Sequence, residues 1–286
     1  MASATSDTDG GLLSFHRFAA ATTGLTFALL LLGIYTAVAG AGLTCAARWP
    51  FCDGWMGLFP ANWPSFIEWF HRLVAMIVGF LVLGLTVAAW RRGRDRAVRL
   101  TTTAALALLP TQIVLGALTV TQYEILILSA HFLFGLTIFA LLVAATALAL
   151  GPRLAAPRRS AALAALALVP LVVVATPFVL VSGSVPVHML YYAVGLLAFS
   201  ALLSLGVWTL PDARSGARRV PATAFGATAL LAGLLLQGRL VIAPSAQPRL
   251  ALAAGLIGGL ALAAAWWTLR DAADGIGSSD LSRSLR

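Results

Sequence analysis

The sequence contains no lysine and has little charge of either sign. Only 10% of its 286 residues are charged, 19 arginines outnumber ten acidic side chains, and 60% of the residues are hydrophobic. An average soluble domain has about a quarter of its residues charged. This composition excludes a water-soluble enzyme.

Long apolar runs take up most of the chain. A membrane-spanning helix needs about 20 mainly apolar residues, and the sequence offers eight such runs with short polar breaks between them. The predicted spans are 15–40, 66–90, 100–121, 125–149, 161–181, 187–209, 221–242 and 250–269. The expected fold is an all-α integral membrane protein with eight transmembrane helices, and almost nothing is left for a soluble domain.

The arginines lie between the apolar runs or near their ends, which argues against a nucleic-acid partner and indicates an orientation. Fifteen fall on one side of the predicted membrane, and the other side has Arg48, Arg72, Arg239 and Arg249. Basic residues concentrate on the cytoplasmic side of membrane proteins. Both termini are therefore expected in the cytoplasm of a multi-pass cell-membrane protein.

Cysteine is scarce, and both cysteines fall in one connection. Cys45 and Cys52 lie in segment 41–65, the longest predicted outer connection. An oxidising compartment lets a disulfide persist, so a bridge between them is favoured over two free thiols. The sequence has no CxxC haem-attachment motif, and covalent haem is not expected.

Three of the four histidines fall at similar positions in their spans. His71, His131 and His188 each lie in the first turns after an outer connection, whereas His16 suits the interface at the start of span one. Any one of the three fits a hydrogen-bonded core histidine. Together they favour axial haem ligation near the outer face, because ionisable groups in a membrane usually face the bundle interior and haem iron accepts axial histidines.

An internal repeat divides the chain into two halves. His71 and His188 are followed by a tryptophan after 19 and 20 residues, and the same 117-residue offset carries His131 onto Pro248. The second half therefore lacks a fourth histidine.

The expected organisation has four parts. It comprises a cytoplasmic tail 1–14, a haem-binding four-helix half 15–150 that includes loop 41–65, a degenerate four-helix half 151–270 and a cytoplasmic tail 271–286.

Glu68 and Arg72 flank His71, and each allows more than one interpretation. Glu68 lies three residues before His71 and shares its helix face; it fits either a capping box that begins at Ser65 or chemistry beside His71. Arg72 is interpreted as a partner of Glu68, as a contact for a haem propionate, or as a side chain that snorkels to lipid headgroups.

These motifs together resemble the haem A synthase (CtaA/COX15) family. The resemblance is specific over about 30–150 and rests over 151–270 on the eight-span repeat and His188. It is carried by Cys45-x6-Cys52, Trp49-Pro50, Glu68-x-x-His71-Arg72, Gln112-x3-Gly116-x2-Thr119-Val120 and His131.

The resemblance implies two pseudo-symmetric four-helix bundles and an oxidoreductase that converts a methyl group of haem O to the formyl group of haem A for terminal oxidases. It implies that His71 and His131 are the axial pair of the substrate haem and that Glu68 is the catalytic carboxylate beside them. It matches Cys45 and Cys52 to the outer-loop cysteine pair. His188 would be one of two ligands of a second, b-type haem, which the missing partner histidine places in doubt.

The expected partners are haem O, membrane lipid, a haem O synthase and the terminal oxidase assembly machinery; the electron acceptor and homo-oligomerisation are left open. Two other classes fit the same histidines. One is a membrane b-type cytochrome that passes electrons from quinol, and the other is a non-catalytic haem carrier or oxidase assembly factor. A solute transporter is disfavoured because the spans contain few charged groups.

Overall fold

A computed structural model describes residues 14–122, 124–182, 184–214, 218–237 and 247–284. The regular structure in these ranges is entirely helical, and eight helices are long and apolar enough to cross a membrane, which confirms the predicted fold class. The helices are α1 (Phe15–Val38), α2 (Trp63–Arg91), α3 (Arg96–Thr121), α4 (Ile125–Leu150), α5 (Pro157–Ser182), α6 (Val185–Arg214), α7 (Arg219–Gln237) and α8 (Gln247–Ser284).

The helix ends differ from the predicted spans by a few residues at most places. The end of the predicted span 221–242 falls partly outside the described residues, because α7 is described to Gln237. α8 continues to Ser284, beyond the predicted end at residue 269, although its apolar part stops at Arg270. Chain polarity therefore changes near residue 270 while the backbone stays helical.

The start of α2 corrects one sequence interpretation. The N-cap is Asn62, whose side-chain oxygen accepts a hydrogen bond from the Ser65 backbone N–H at 3.0 Å. Asparagine is a preferred N-cap residue because its side chain satisfies an otherwise unpaired N–H of the first turn. The capping box at Ser65 is therefore wrong, and Glu68 lies in the second turn of the helix, where capping does not use it.

The helices contact one another in two sets of four. In the first half α1 and α3 each pack against both α2 and α4, and in the second half α5 and α7 each pack against both α6 and α8. The halves meet mainly where α6 packs against α4 and α1. A hydrogen bond crosses this junction: the Trp208 indole N–H of α6 donates to the Ala147 carbonyl oxygen of α4 at 2.8 Å.

Buried side chains are unevenly distributed along the helices of both halves. In the first half a buried cluster that includes Val82, Leu85 and Leu142 packs the end remote from loop 41–65. Residues 69–77 of α2 and 106–119 of α3 include no fully buried residue. In the second half Tyr191 and Tyr192, three and four residues beyond His188, are buried, and residues 184–190 include no fully buried residue. Each half therefore has a stretch without fully buried residues around its histidine, 69–77 around His71 and 184–190 around His188.

The cytoplasmic location of the termini, the domain limits and the outer location of the histidines stay predictions. They depend on the distribution of arginine along the chain and on the general preference of basic residues for the cytoplasmic side.

Candidate functional site

His71 occupies a notch in the neighbouring helix. It lies on α2, and a Cβ atom added to Gly33 of α1 would come within 2.7 Å of the His71 Cε1 atom. No real Cβ approaches an atom that closely, so the imidazole lies in space that only glycine leaves open. The Nδ1 atom of His71 is buried, and it has no hydrogen-bond partner in the described part of the chain.

His131 lies on α4, and a glycine of a neighbouring helix leaves room for its ring as well. A Cβ atom added to Gly116 of α3 would lie 3.2 Å from the His131 Cε1 atom, which again leaves no comfortable room for a methyl group. One turn before Gly116 on the same helix, the Gln112 amide nitrogen lies 3.5 Å from His131 Nε2. A glycine and a polar side chain of α3 therefore face the same imidazole.

The two histidines face a common interior. A Cβ atom added to Gly135, one turn beyond His131, would meet the Gln112 amide at 3.1 Å and Leu30 Cδ2 at 3.2 Å. Leu30 in turn lies one turn before the glycine that receives His71. The two imidazoles are also close enough to interact electrostatically. The structure thus brings together the histidine pair that the resemblance implied.

Glu68 is held by Arg72. The Arg72 Nε–H donates to Glu68 Oε1 at 2.9 Å, and the two side chains keep only 15% and 10% of their surface accessible. Of the three interpretations of Arg72, the structure favours pairing with Glu68. A carboxylate this well buried beside an imidazole requires such a partner, because an unpaired buried charge is costly.

Arg72 also reaches the cysteine loop, which sequence reasoning missed. Its Nη1 donates to the Phe51 carbonyl oxygen at 2.9 Å and to the Arg48 carbonyl oxygen at 3.1 Å, while its Nη2 is buried without a partner in the described residues. Five donors in a planar fork let one guanidinium join several acceptors. Arg72 therefore ties the loop to the helix turn that carries Glu68 and His71.

The cysteine loop is closed by its own covalent bond. Cys45 and Cys52 are joined by a disulfide, which agrees with the favoured bridge. Asp53 brings a carboxylate oxygen within 4.8 Å of both sulfurs, but disulfide sulfurs are not thiolates and offer no metal site. The bond closes the chain around Arg48, whose carbonyl Arg72 binds.

Asp53 connects the loop to α2. Its two carboxylate oxygens accept hydrogen bonds from the Ser65 hydroxyl and from the Ala61 backbone N–H. These bonds, the Ser65 hydroxyl first, lower the pKa of the Asp53 carboxyl from its ordinary value, because they stabilise the charged form. The ionised carboxylate thus fastens the loop to the start of the helix.

His188 lies apart from this pair. It is the fourth residue of α6, and its Nδ1 donates to the Ser184 carbonyl oxygen at 2.9 Å. That bond leaves Nε2 as the atom with a lone pair. At 1.5 Å of rise per residue, His188 lies about 4–5 Å along its helix and His71 about 12 Å along α2. His131 lies about 9 Å along α4. Distance along a helix is not depth in the membrane, so the matched depth expected for the three histidines stays a prediction.

The position opposite His188 has no ligand. Pro248, the predicted counterpart of His131, lies at the exposed start of α8, and so does Arg249; the side chain of Gln247 is outside the described residues. From Pro248 to Arg270, α8 contains no histidine, methionine or cysteine. The described part of the second half therefore offers one imidazole.

The donor set of the first half fits a haem. Two neutral imidazoles on facing helices of a four-helix bundle are a usual way to hold a planar macrocycle. The glycine notches fix both rings, and the surrounding turns of α2 and α3 keep accessible surface. Gly116 and Gln112 were part of the sequence motif, but Gly33 was not, and its only sequence signal is a glycine inside an apolar helix.

The chain is similar in sequence to known proteins. Residues 16–185, more than half of the chain, match the family model of the COX15-CtaA cytochrome oxidase assembly proteins. The chain is 37% identical over 125 residues to a haem A synthase of Lysinibacillus sphaericus, covering 42% of this chain and 40% of the relative. A haem A synthase of Geobacillus kaustophilus is 36% identical over 78 residues, covering 27% of this chain and 25% of the relative.

A second group of relatives has a different name. A protoheme IX farnesyltransferase of Halobacterium salinarum is 40% identical over 131 residues, which is 45% of this chain and 28% of the relative. The chain thus matches less than a third of the length of that relative. The match that covers most of this chain is the family model, and it includes both histidines of the site. The chain belongs to the COX15-CtaA family of cytochrome oxidase assembly proteins.

Proposed function

We propose that this protein is a haem A synthase, which oxidises one methyl group of haem O to the formyl group of haem A. The observation that carries the proposal is the pair His71 and His131, each in a glycine notch of a neighbouring helix and both facing one bundle interior. The family match and the haem A synthase relatives support the same reaction.

The substrate haem would be held by these two imidazoles. His71 and His131 would fix the plane of the macrocycle, and Gly33 and Gly116 would fix the imidazoles. The bound iron would supply redox chemistry for the two successive methyl oxidations, which also require an oxygen source and an electron acceptor outside this chain. The helices would shield the macrocycle from bulk water, and an apolar isoprenoid tail would be compatible with the surrounding lipid.

Glu68 is the candidate group for moving protons. It is one turn from His71 on the same face of α2, and Arg72 holds its Oε1 atom, which leaves the other carboxylate oxygen for a proton or a water molecule. Arg72 acts here as a positioning residue, and its buried Nη2 is the atom that would meet a propionate. Arg72 can therefore pair with Glu68 through Nε and contact a haem propionate through Nη2.

The second half is proposed to have a structural role. Tyr192 joins α6 to α7 and α4, because its hydroxyl donates to the Leu235 carbonyl oxygen at 3.0 Å and its ring contacts Phe132. The described residues of this half also offer only one imidazole, that of His188. We therefore expect one bis-histidine haem per chain, in the first half.

The substrate would come from a farnesyl transfer reaction. Haem O carries a farnesyl-derived tail, and the farnesyltransferase relative contains a stretch that is 40% identical to this chain. A haem O synthase is thus the enzyme class proposed to act immediately before this protein, and terminal oxidase assembly the process that uses its product.

Co-expression with a haem O source tests the proposal. The intact protein should produce haem A, identified by mass in extracted pigment, whereas His71→Ala and His131→Ala should produce none. His16→Ala is the matched control, because this histidine lies at the start of α1, far along the chain from both notches. Haem b bound without any haem A in the intact protein would instead support the b-type cytochrome. Normal haem A in both single variants would exclude the proposed ligand pair.

A further inference from the structure

The segment 54–67, between Asp53 and Glu68, exposes large apolar side chains and includes no acidic or basic side chain. Trp55, Met56 and Trp63 keep 71%, 72% and 68% of their surface accessible. A loop that faces water seldom exposes such a patch, and a contiguous apolar patch marks an interaction surface.

The aromatic rings form one continuous group. The Trp55 ring centroid lies 5.7 Å from that of Phe59, Phe59 lies 6.2 Å from Trp69, and Trp69 lies 6.1 Å from Phe66. Phe66 stacks on Trp63 at 5.3 Å. These rings define an aromatic patch that extends from the loop onto the first turns of α2.

The backbone beneath the patch is fixed. The Cys52 N–H donates to the Gly57 carbonyl oxygen at 2.7 Å, and the Gly54 N–H donates to the Phe59 carbonyl oxygen at 2.7 Å. The Asp53 carboxylate adds the bond to Ala61. The exposed rings are therefore held in place by local structure.

The aromatic patch continues an exposed stripe along α2. Phe66, Phe70, Ile77 and Phe80 follow one another at spacings of four, seven and three residues, so they share one helix face. All four are exposed, Phe80 to 67%. In a membrane-spanning helix such a face meets acyl chains, and the patch is its extension beyond the end of the span.

We propose that the aromatic patch lies in the interfacial layer of the bilayer, between acyl chains and headgroups, on the side of the α1–α2 connection. Aromatic side chains concentrate at that depth because a large ring suits the boundary between apolar and polar surroundings. Continuity with the lipid-facing stripe and the absence of charge favour lipid over a protein partner. Through Arg72, which binds loop carbonyls, this anchoring would also steady the turn that carries Glu68.

Site-directed spin labelling in nanodiscs tests the proposal. A nitroxide is attached at Met56→Cys, and reference labels are placed at Phe80→Cys within the stripe and Arg91→Cys at the far end of α2. Mass analysis confirms first that the native disulfide is intact. The measured quantity is the ratio of relaxation by oxygen to relaxation by a water-soluble nickel complex. This ratio should be several-fold higher for the label at Met56 than for the label at Arg91, and lower than for the label at Phe80.

Two results would overturn the proposal. A Met56 label as accessible to nickel as the Arg91 label would place the aromatic patch in water. A Met56 label shielded from both relaxing agents would place it against protein, which in this preparation means a second copy of the chain.

A second measurement avoids introducing a new thiol. The emission of Trp55 is obtained as the difference between the intact protein and Trp55→Phe. Phospholipids brominated near the headgroup should quench this emission more than phospholipids brominated deep in the acyl chain. Equal or absent quenching by the two lipids would contradict interfacial placement.

Discussion

The notch that receives His71 allows a graded test by single methyl groups. In Gly33→Ala the new Cβ would lie 2.7 Å from His71 Cε1, whereas ordinary contacts lie at 3.4–4 Å. The imidazole or the helix must therefore move by about 1 Å to restore normal contact. Because the same ring is the proposed axial ligand, this displacement acts directly on the haem.

The size of the effect follows from this displacement. Overpacking of a fixed interior costs roughly 1–3 kcal/mol, and misplacement of a reacting group by about 1 Å can reduce a rate by about a hundredfold. We expect Gly33→Ala to insert into the membrane, to bind less haem and to form haem A at least about tenfold more slowly than the intact protein.

Two other glycines serve as controls. Gly116→Ala would bring its Cβ to 3.2 Å from His131 Cε1, so its neighbour must move only a few tenths of an ångström. Gly24→Ala lies on α1 like Gly33, but no atom lies within 4 Å of its Cβ position. Gly24→Ala should match the intact protein or gain up to about 1 kcal/mol, because alanine has the higher helix propensity.

The assay combines haem content, from the absorbance of purified protein, with haem A extracted from co-expressing cells. The expected order of both quantities is Gly24→Ala, then Gly116→Ala, then Gly33→Ala. If Gly33→Ala and Gly24→Ala proved equal in haem content and haem A yield, the notch would have no role in ligand placement and the reasoning would fail.

Three other predictions concern the surroundings of the site. Arg72→Met should lower the thermal midpoint of the purified protein, since removing one partner of a buried ion pair costs roughly 3–5 kcal/mol and slight exposure of the pair reduces this. The double variant with Glu68→Gln should recover only the part of the loss that comes from the unpaired carboxylate, because the bonds of Arg72 to the loop carbonyls stay lost; strictly additive losses would argue against the pair. His188→Ala should retain most haem A formation while His71→Ala abolishes it, and equal losses would show that the second half takes part in catalysis. The lowered pKa of Asp53 stabilises the loop above the ordinary carboxyl pKa of about 4, and this contribution is lost as pH falls through the lower pKa of the folded state. The rate at which a phosphine reduces the disulfide should rise over that acidic range in the intact protein and should show no such rise in Asp53→Asn. A rise of equal size in both proteins would exclude this carboxylate as its cause.

The sequence by itself determined the class of protein and the helices. Apolar runs of about 20 residues predict spans because every backbone N–H and C=O must be satisfied within the membrane, and this information is local. The motif of Glu68 and His71 could also be read directly, since residues three apart share a helix face. The pairing of His131 with His71 as proposed ligands came from resemblance to a family.

Other features depended on residues far apart in the chain. Gly33 and His71 are separated by more than 30 residues, and no local pattern shows that one leaves space for the other. Likewise, Arg72 was expected to face a propionate, lipid or Glu68, and only the folded loop supplies the carbonyl oxygens of Arg48 and Phe51 that it also binds.

The cap of α2 and the second half of the chain also depend partly on sequence and partly on tertiary structure. Ser65 and Glu68 had the spacing of a capping box, but the N-cap is Asn62, one turn earlier. The Ser65 hydroxyl donates instead to the Asp53 carboxylate of the loop. The missing fourth histidine could be read from the sequence. The contacts of Tyr192 with Phe132 of α4 and Leu235 of α7 were decided by tertiary packing. The hydropathy of each run does not specify which helices become neighbours or which of their faces meet.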